Sequence, residues 1–316
     1  MSGRSVAGFR PYLGSMRLLF SIVLLLATLA ARPQAEGYAP GNGVRTNYRS
    51  FGSGVPLLII NGGPGISSEG FAEIAQLLSA HNRTIIYDQR GTGRSVLARK
   101  DASTITMALM ADDIEQLRIH LGYDSWIVMG HSFGGMLASY YTAHYPGRVK
   151  GLILSSSGGI DLSLASGFGR SIQEQLDPIE ADSLRYWERR IAAGDQSVRA
   201  RQQRARWIAF AYVYHKEYAP QVAARLEQTD RLVNSLVWQD LRRIGFDCAP
   251  GLKNYDGPAL IVQGRQDIVD SSAGAKAKLV LSHSRFVLLD NCRHYGWLDQ
   301  REQFMAEVNG FLKKWE

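Results

Sequence analysis

The sequence predicts an α/β protein with a mostly parallel sheet, helices on both faces of the sheet, and a helical cap inserted late in the chain. Two observations lead to this fold class. Short apolar runs alternate with helical patterns, an order that produces parallel strands joined by helices. The runs are also continuously apolar, as in strands that are buried on both faces. With 316 residues, the chain is long enough to bury a full core.

The predicted strands begin at residue 55, and each is followed by a turn or a helical pattern. In chain order they are VPLLII at 55–60, RTIIYD at 83–88, WIVMG at 126–130, VKGLILSS at 149–156, PALIVQG at 258–264 and RFVLLD at 285–290. Helical patterns lie at 71–80, 105–122 and 301–315. We therefore expect the sheet to be built from these strands, with the helices packed against it.

The alternation stops between about Gly158 and Pro250, where no strand pattern is present. This stretch is rich in Arg, Gln and Ala and includes the helical run RARWIAFAYVYHKEY at 204–218. We interpret 158–250 as a helical cap over one end of the sheet, which divides the core into 36–157 and 251–316.

Two groups of side chains in the predicted cap have alternative interpretations. A basic group is interpreted as a solvated helix face, with a site for an acidic substrate as the alternative; it comprises Arg199, Arg201, Arg204 and Arg206. An aromatic group is interpreted as core, with a pocket lining beneath the cap as the alternative; it comprises Trp207, Phe210, Tyr212 and Tyr214.

Residues 1–35 have the pattern of a secretory signal peptide. Arg4, Arg10 and Arg17 precede the apolar stretch LLFSIVLLLATLA at 18–30, and small residues follow it. The stretch is shorter than the roughly 20 apolar residues of a membrane span. We expect cleavage between Ala30 and Ala35 and export to the periplasm or the exterior, with an uncleaved membrane anchor as the alternative.

Charge and composition narrow the function classes. The four arginines of residues 1–35 account for four of the formal net charge of +7, which leaves +3 for the rest of the chain. A charge this small, with no matching motif, gives no indication of nucleic-acid binding. No cofactor or metal motif is present, so none is expected, and nothing indicates an oligomeric state. Cys248 and Cys292 are the two cysteines, and the sequence leaves open whether they pair.

A candidate nucleophile lies at the end of the run IVMGHSFGG at 127–135. Gly130, Ser132 and Gly134 fit the pattern G-x-S-x-G, placed after a strand and before a helix. A serine at such a tight turn takes strained backbone angles, and side chains at the flanking positions would collide with the neighbouring elements. This arrangement exposes the serine hydroxyl near the N-terminus of the helix and predicts a nucleophile at Ser132.

A serine nucleophile needs a base that is oriented by an acid, in the chain order Ser, then Asp or Glu, then His. Asp267 follows the strand at 258–264, and His294 follows the strand at 285–290. Catalytic groups in open α/β sheets gather at these strand ends. We predict His294 as the general base and Asp267 as its acid, with Asp270 as the alternative acid and His131 as a packing or turn residue.

The glycine-rich segment NGGPG at 61–65 follows the first predicted strand. Its backbone N–H groups are suited to approach a substrate oxygen. We predict that the N–H of Gly63, or alternatively of Gly62, forms an oxyanion hole with the N–H of Phe133. The segment fits neither a phosphate-binding loop nor a dinucleotide pattern.

Several of these motifs together resemble the prolyl iminopeptidase-like serine peptidases of the α/β-hydrolase superfamily. NGGPG is similar to the HGGPG motif of that family, with Asn61 in place of the histidine. DQRGTGRS at 88–95 resembles its DQRGxGxS loop, which discriminates better than G-x-S-x-G. The resemblance covers about 40–157 and 251–316 and is weak in the cap. It implies the α/β-hydrolase fold with the catalytic residues predicted above.

The resemblance also implies an activity. We expect a serine hydrolase that forms an acyl-enzyme and releases an N-terminal residue from a short peptide, with a carboxylesterase or lactonase on small acyl substrates as the alternative. Aminopeptidases of this family bind the α-amine of the substrate with carboxylates, partly from the cap. The candidates here are Glu174, Glu180, Glu188, Glu217 and Glu227, and the sequence singles out none of them.

Overall fold

A computed structural model of the chain describes residues 1–3, 35–163 and 168–315, which contain an eight-stranded sheet. The strands are β1 Ala35–Pro40, β2 Arg45–Phe51, β3 Val55–Ile60, β4 Asn82–Tyr87, β5 Trp126–His131, β6 Val149–Ser155, β7 Ala259–Gly264 and β8 Ser284–Leu289. Their order in the sheet is β1-β2-β4-β3-β5-β6-β7-β8. Pairing is antiparallel from β1 to β4 and parallel from β4 to β8.

The six predicted strands are confirmed to within one residue at each end, but the hairpin of β1 and β2 was not predicted. The two hairpin strands read AEGYAP and RTNYRSF and lie at the edge of the sheet. β1 is the largely exposed edge strand, and β2 lies between β1 and β4 with polar residues at several of its buried positions, so both segments lack the continuous apolar run on which the prediction relied.

Helices cover both faces of the sheet, and a further group lies between β6 and β7. Before β6 are α1 Ala72–Leu78, α2 Met107–His120 and α3 Phe133–His144. Between β6 and β7 are α4 Phe168–Glu174, α5 Pro178–Ala192, α6 Val198–Tyr212, α7 Ala219–Leu226, α8 Arg231–Arg243 and α9 Ala249–Leu252. After β7 are α10 Ser272–Val280, α11 Gly296–Asp299 and α12 Arg301–Leu312. Single-turn 3₁₀ helices lie at Glu69–Phe71, Pro146–Arg148, Lys216–Tyr218 and Lys313–Trp315.

Two apolar clusters lie on opposite faces of the sheet. Leu58 and Ile60 of β3 belong to the cluster that includes side chains of α2 and α3. Leu57 and Ile59 belong to the cluster that includes side chains of α1 and α12. Successive side chains of a strand point to opposite faces, so a strand covered on both sides has to be apolar throughout.

The described residues between β6 and β7 are called the insertion here. They contain no strand, apart from an isolated bridge between Asp161 and Asp247. The longer insertion helices begin at side chains that accept a hydrogen bond from the first turn, which is a strong local signal for helix initiation. These caps are Asp177 at α5, Ser197 at α6 and Asp230 at α8. The limits 158–250 predicted for a cap remain a prediction.

Cys248 and Cys292 are both free and buried. Cys248 belongs to the apolar cluster on one face of the sheet and Cys292 to the cluster on the other. Burial raises the pKa of both thiols well above the usual range, which keeps them protonated.

The predicted leader at 1–35 lies almost entirely outside the described residues. Within the ranges given above, no helix is both long and apolar enough to cross a membrane.

Candidate active site

Ser132 lies on the sharp turn between β5 and α3 and has strained backbone angles, φ 55° and ψ −122°. Its glycine neighbours are required by close packing. A Cβ at Gly130 would lie 2.2 Å from the backbone oxygen of Gly134, and a Cβ at Gly134 would lie 2.1 Å from the backbone oxygen of Ile60. The turn therefore has the geometry that the G-x-S-x-G pattern predicts.

Asp267 and His294 are joined by a hydrogen bond at the same edge of the sheet. His294 Nδ1 donates to Asp267 Oδ1 over 2.7 Å, and the two side chains are 1% and 0% exposed. Asp267 follows β7 and His294 follows β8, so parallel pairing of these strands brings the two residues together. With Nδ1 donating, a neutral imidazole keeps its lone pair on Nε2, the atom that a general base uses.

Two other carboxylates in this part of the chain, the predicted alternative Asp270 and the nearby Asp290, have other partners. Asp270 Oδ1 accepts a hydrogen bond from the Ser272 N–H at the start of α10, 2.8 Å away. Asp290 pairs with Arg265. Of these three acids, Asp267 is the one that is hydrogen-bonded to His294.

Ser132 and His294 line a common cavity of about 480 Å³, together with Gly63 and Phe133. No hydrogen bond joins the Ser132 hydroxyl to the His294 ring among the described residues. Catalytic hydrogen bonds of this kind often tighten only when substrate is bound.

The predicted oxyanion donors also lie at this cavity. In the hydrogen-bond network of residues 35–163 and 168–315, no acceptor is found for the N–H of Gly63 or of Phe133. Phe133 is the first residue of α3, where a backbone N–H has no partner within the helix. Gly62 packs against the nucleophile turn, since a Cβ there would lie 2.6 Å from Ser132 Cβ. Both N–H groups thus belong to residues that line the cavity and have no acceptor among the described residues.

His131 packs directly against His294, with 4.7 Å between their ring centroids. Its Nδ1 lies 3.4 Å from Ser155 Oγ, and its Nε2 is buried without a hydrogen-bond partner. Burial, with the nearby charges of His294 and Arg225, holds the pKa of His131 well below its usual value. The ring is therefore a neutral packing element behind the imidazole of His294.

The loop at 88–95 supports the site through hydrogen bonds and one ion pair away from the cavity. Asp88 accepts hydrogen bonds from the N–H and hydroxyl of Ser68 and from the N–H of Arg94. Arg90 forms a bidentate ion pair with Asp113, with both donor–acceptor distances at 2.8 Å. These contacts are consistent with a structural role for the loop.

The loop that carries His294 is hydrogen-bonded to the C-terminal end of α6 and to the residue that follows it. The His294 N–H donates to the backbone oxygen of Tyr212, and the Arg293 guanidinium donates to the backbone oxygens of Phe210 and Val213. The buried carboxylate of Asp299 accepts hydrogen bonds from backbone N–H groups on both sides of this contact, those of Tyr214, His215 and Arg293. The sequence carried no signal for this role of Asp299.

The far wall of the cavity belongs to the insertion. Arg201 and Arg204 line it, whereas Arg199 and Arg206 are exposed to solvent. Two members of the basic group thus line the cavity, and the other two lie on an exposed helix surface.

Tyr212 is the residue of the predicted aromatic group that lines the cavity. Burial raises its pKa to about 12, so its hydroxyl stays neutral.

The comparison with known families decides the classification. A sequence profile of the alpha/beta hydrolase fold family matches residues 55–300. The chain is an α/β hydrolase. The resemblance and the fold class predicted from the motifs are thereby confirmed.

Known proteins similar to this α/β hydrolase cover most of its length. A proline iminopeptidase of Lactobacillus acidophilus is 25% identical over 295 residues, which span 89% of this chain and 97% of the relative. Among solved structures, VinJ is similar with a TM-score of 0.73 and 21% identity, over 89% of this chain and 99% of that one. A proline iminopeptidase of Mycobacterium smegmatis has a TM-score of 0.68 and 19% identity, over 89% and 98%. At these identities the two structures show the fold alone.

Proposed function

We propose that this α/β hydrolase is a serine hydrolase that acts through an acyl-enzyme, as an aminopeptidase of the prolyl iminopeptidase type. The observation that carries the proposal is the buried hydrogen bond between Asp267 and His294 at the cavity that Ser132 also lines. The relatives named proline iminopeptidase support the substrate class.

In the proposed mechanism, His294 Nε2 takes the proton of Ser132 as Oγ attacks the substrate carbonyl. Asp267 holds the ring in the required tautomer and stabilises the imidazolium that forms. The N–H groups of Gly63 and Phe133 bind the oxyanion. His294 then protonates the leaving amine, and water hydrolyses the acyl-enzyme by the same steps.

Glu227 is the proposed partner of the substrate α-amine. Of the five candidate glutamates, it is the one that lines the cavity. Glu188 pairs with Arg204 at 3.3 Å, and Glu180 pairs with Lys216 at 2.7 Å.

The charge of the cavity wall favours a second candidate function, a carboxylesterase or lactonase on small acyl substrates. Arg201, Arg204 and Arg231 line the same cavity as Glu227, which is the one carboxylate among the described lining residues. An excess of positive charge disfavours a substrate ammonium group and does not affect an ester or lactone that lacks one.

A substrate panel on the full chain separates the two candidates. Turnover of proline 4-nitroanilide is compared with that of a 4-nitrophenyl ester and an acyl lactone, with Ser132→Ala beside the wild type. We expect Ser132→Ala to lower kcat by at least about 10³-fold on every substrate that is turned over. Undiminished turnover by Ser132→Ala would refute the serine mechanism.

The aminopeptidase assignment has its own variant. We expect Glu227→Gln to raise KM for proline 4-nitroanilide and to leave the KM for an ester unchanged. The matched control is Glu217→Gln, an exposed glutamate of the insertion that is not part of the cavity wall. Activity on esters alone would assign the second function.

We also propose that residues 1–35 direct export and are then removed. The proposal is supported by the basic start and apolar stretch of the leader. Mass spectrometry of the N-terminus of the protein recovered from its natural host tests it, and an intact Met1 would contradict it.

A further inference from the structure

Arg225 of α7 is a buried cation without a carboxylate partner. Its exposed fraction is 6%, and no ion pair among the described residues includes it. Its Nη2 donates to the backbone oxygen of Gly62 over 2.6 Å, and its Nη1 donates to the hydroxyl of Tyr295. The guanidinium carbon lies 4.6 Å from the ring centroid of Phe71, and Nε is buried without a hydrogen-bond partner.

Such an arrangement is costly, because a buried charge loses its hydration and here gains no opposite charge in return. Stacking on the rings of Phe71 and Tyr295 offsets part of this cost. A neutral residue of similar length would fill the same space at a lower desolvation cost. The charge is therefore expected to act on the group that it contacts most directly, the backbone oxygen of Gly62.

The backbone oxygen of Gly62 and the N–H of Gly63 belong to one peptide group. A charge-assisted hydrogen bond to the oxygen fixes the plane of that peptide and polarises it, which makes its N–H a stronger donor. The Gly63 N–H is the proposed oxyanion donor, and Asn61 Nδ2 donates to the same Gly62 oxygen over 3.2 Å. Arg225 thus reaches the donor through a single amide.

We propose that Arg225 is a positioning residue for the oxyanion hole, so that docking of α7 from the insertion completes the donor pair on the core. Arg225 holds the Gly62–Gly63 peptide with its N–H directed at the developing oxyanion, and its positive charge stabilises that oxyanion across the amide. This inference rests on the proposed function, since it concerns the same serine chemistry.

The rate at which a fluorophosphonate labels Ser132 tests the proposal without knowledge of the natural substrate. In this reaction Ser132 Oγ forms a bond to phosphorus, fluoride leaves, and His294 takes the hydroxyl proton. The phosphoryl oxygen occupies the oxyanion hole. We expect Arg225→Ala to lower the second-order labelling rate by about 10- to 100-fold, less than the loss for complete removal of a donor. Arg225→Lys, which keeps the charge, is expected to lie between Arg225→Ala and the wild type.

The controls separate positioning from a role in stability. Added guanidinium at non-denaturing concentration is expected to restore labelling of Arg225→Ala. The matched variant Arg242→Ala removes an exposed arginine of the same insertion and is expected to label at the wild-type rate.

Wild-type labelling of Arg225→Ala would overturn the inference. A loss of labelling rate that guanidinium does not restore, and that parallels a fall in melting temperature, would also overturn the inference. If the wild-type protein is not labelled at Ser132 at all, the proposed function fails instead.

Discussion

The strained backbone of Ser132 leads to a prediction in which stability and activity change in opposite directions. At φ 55°, a residue with a Cβ is held in a conformation that costs about 1–3 kcal/mol, and glycine adopts it without that penalty. Glycine also loses about 0.5–1 kcal/mol more than alanine through its greater freedom in the unfolded chain. We therefore expect Ser132→Gly to be more stable than Ser132→Ala by about 0.5–2 kcal/mol, although both variants lack the nucleophile.

Urea unfolding at equilibrium measures this difference directly, and Ser139 supplies the matched control. Ser139 lies within α3 at ordinary helical angles, and its hydroxyl donates to the backbone oxygen of Gly135 over 2.8 Å. At Ser139 the order reverses, since glycine in a helix interior is about 1 kcal/mol less stable than alanine. A glycine variant at 132 that is less stable than the alanine variant, by the same margin as at 139, would refute the strain argument.

Three further variants test other parts of the fold. Asp113→Ala leaves the Arg90 guanidinium buried without its carboxylate, and urea unfolding should show a loss of about 3–5 kcal/mol; a loss below about 1 kcal/mol would contradict the role given to this pair. Burial lowers the pKa of His131, so below about pH 6.5 the unfolded chain binds a proton that the folded chain does not. The free energy of unfolding should then fall by about 1.4 kcal/mol per pH unit as the pH decreases, and His131→Asn should remove this slope; equal slopes between pH 7 and pH 5.5 would argue against it. Gly134→Ala places a Cβ against the backbone of β3 and should cost about 1–3 kcal/mol by thermal unfolding, whereas Gly147→Ala, with open space around it, should cost less; similar losses would show that close packing is not the cause.

The part of the fold that could be predicted is the part in which burial is visible in the local sequence. A strand such as 55–60 is covered on both faces, so its residues are apolar in an unbroken run. The nucleophile turn was predictable for a related reason, because close backbone approach excludes side chains at Gly130 and Gly134. Asp267 and His294 followed from their positions after β7 and β8.

The rest depends on contacts between distant segments, for which no local pattern exists. The hairpin of β1 and β2 is polar enough to resemble a loop. Arg225 is one arginine in a region rich in arginine, and only its burial against Gly62 distinguishes it. Likewise, nothing near Asp299 in the sequence indicates that its carboxylate accepts N–H groups from residues some 85 positions earlier.

The hydrogen bonds between residues 210–215 and the loop of His294 restrict how this α/β hydrolase could be re-engineered. A chimera that exchanges the whole insertion for that of a relative would replace the backbone segment whose carbonyl groups accept hydrogen bonds from Arg293 and from the His294 N–H, and the new segment would have to place its own carbonyls in the same positions. The imidazole would otherwise lose its support even though no residue of its own loop had changed. Modular exchange should therefore keep residues 210–215 in place and join the foreign segments on either side of them.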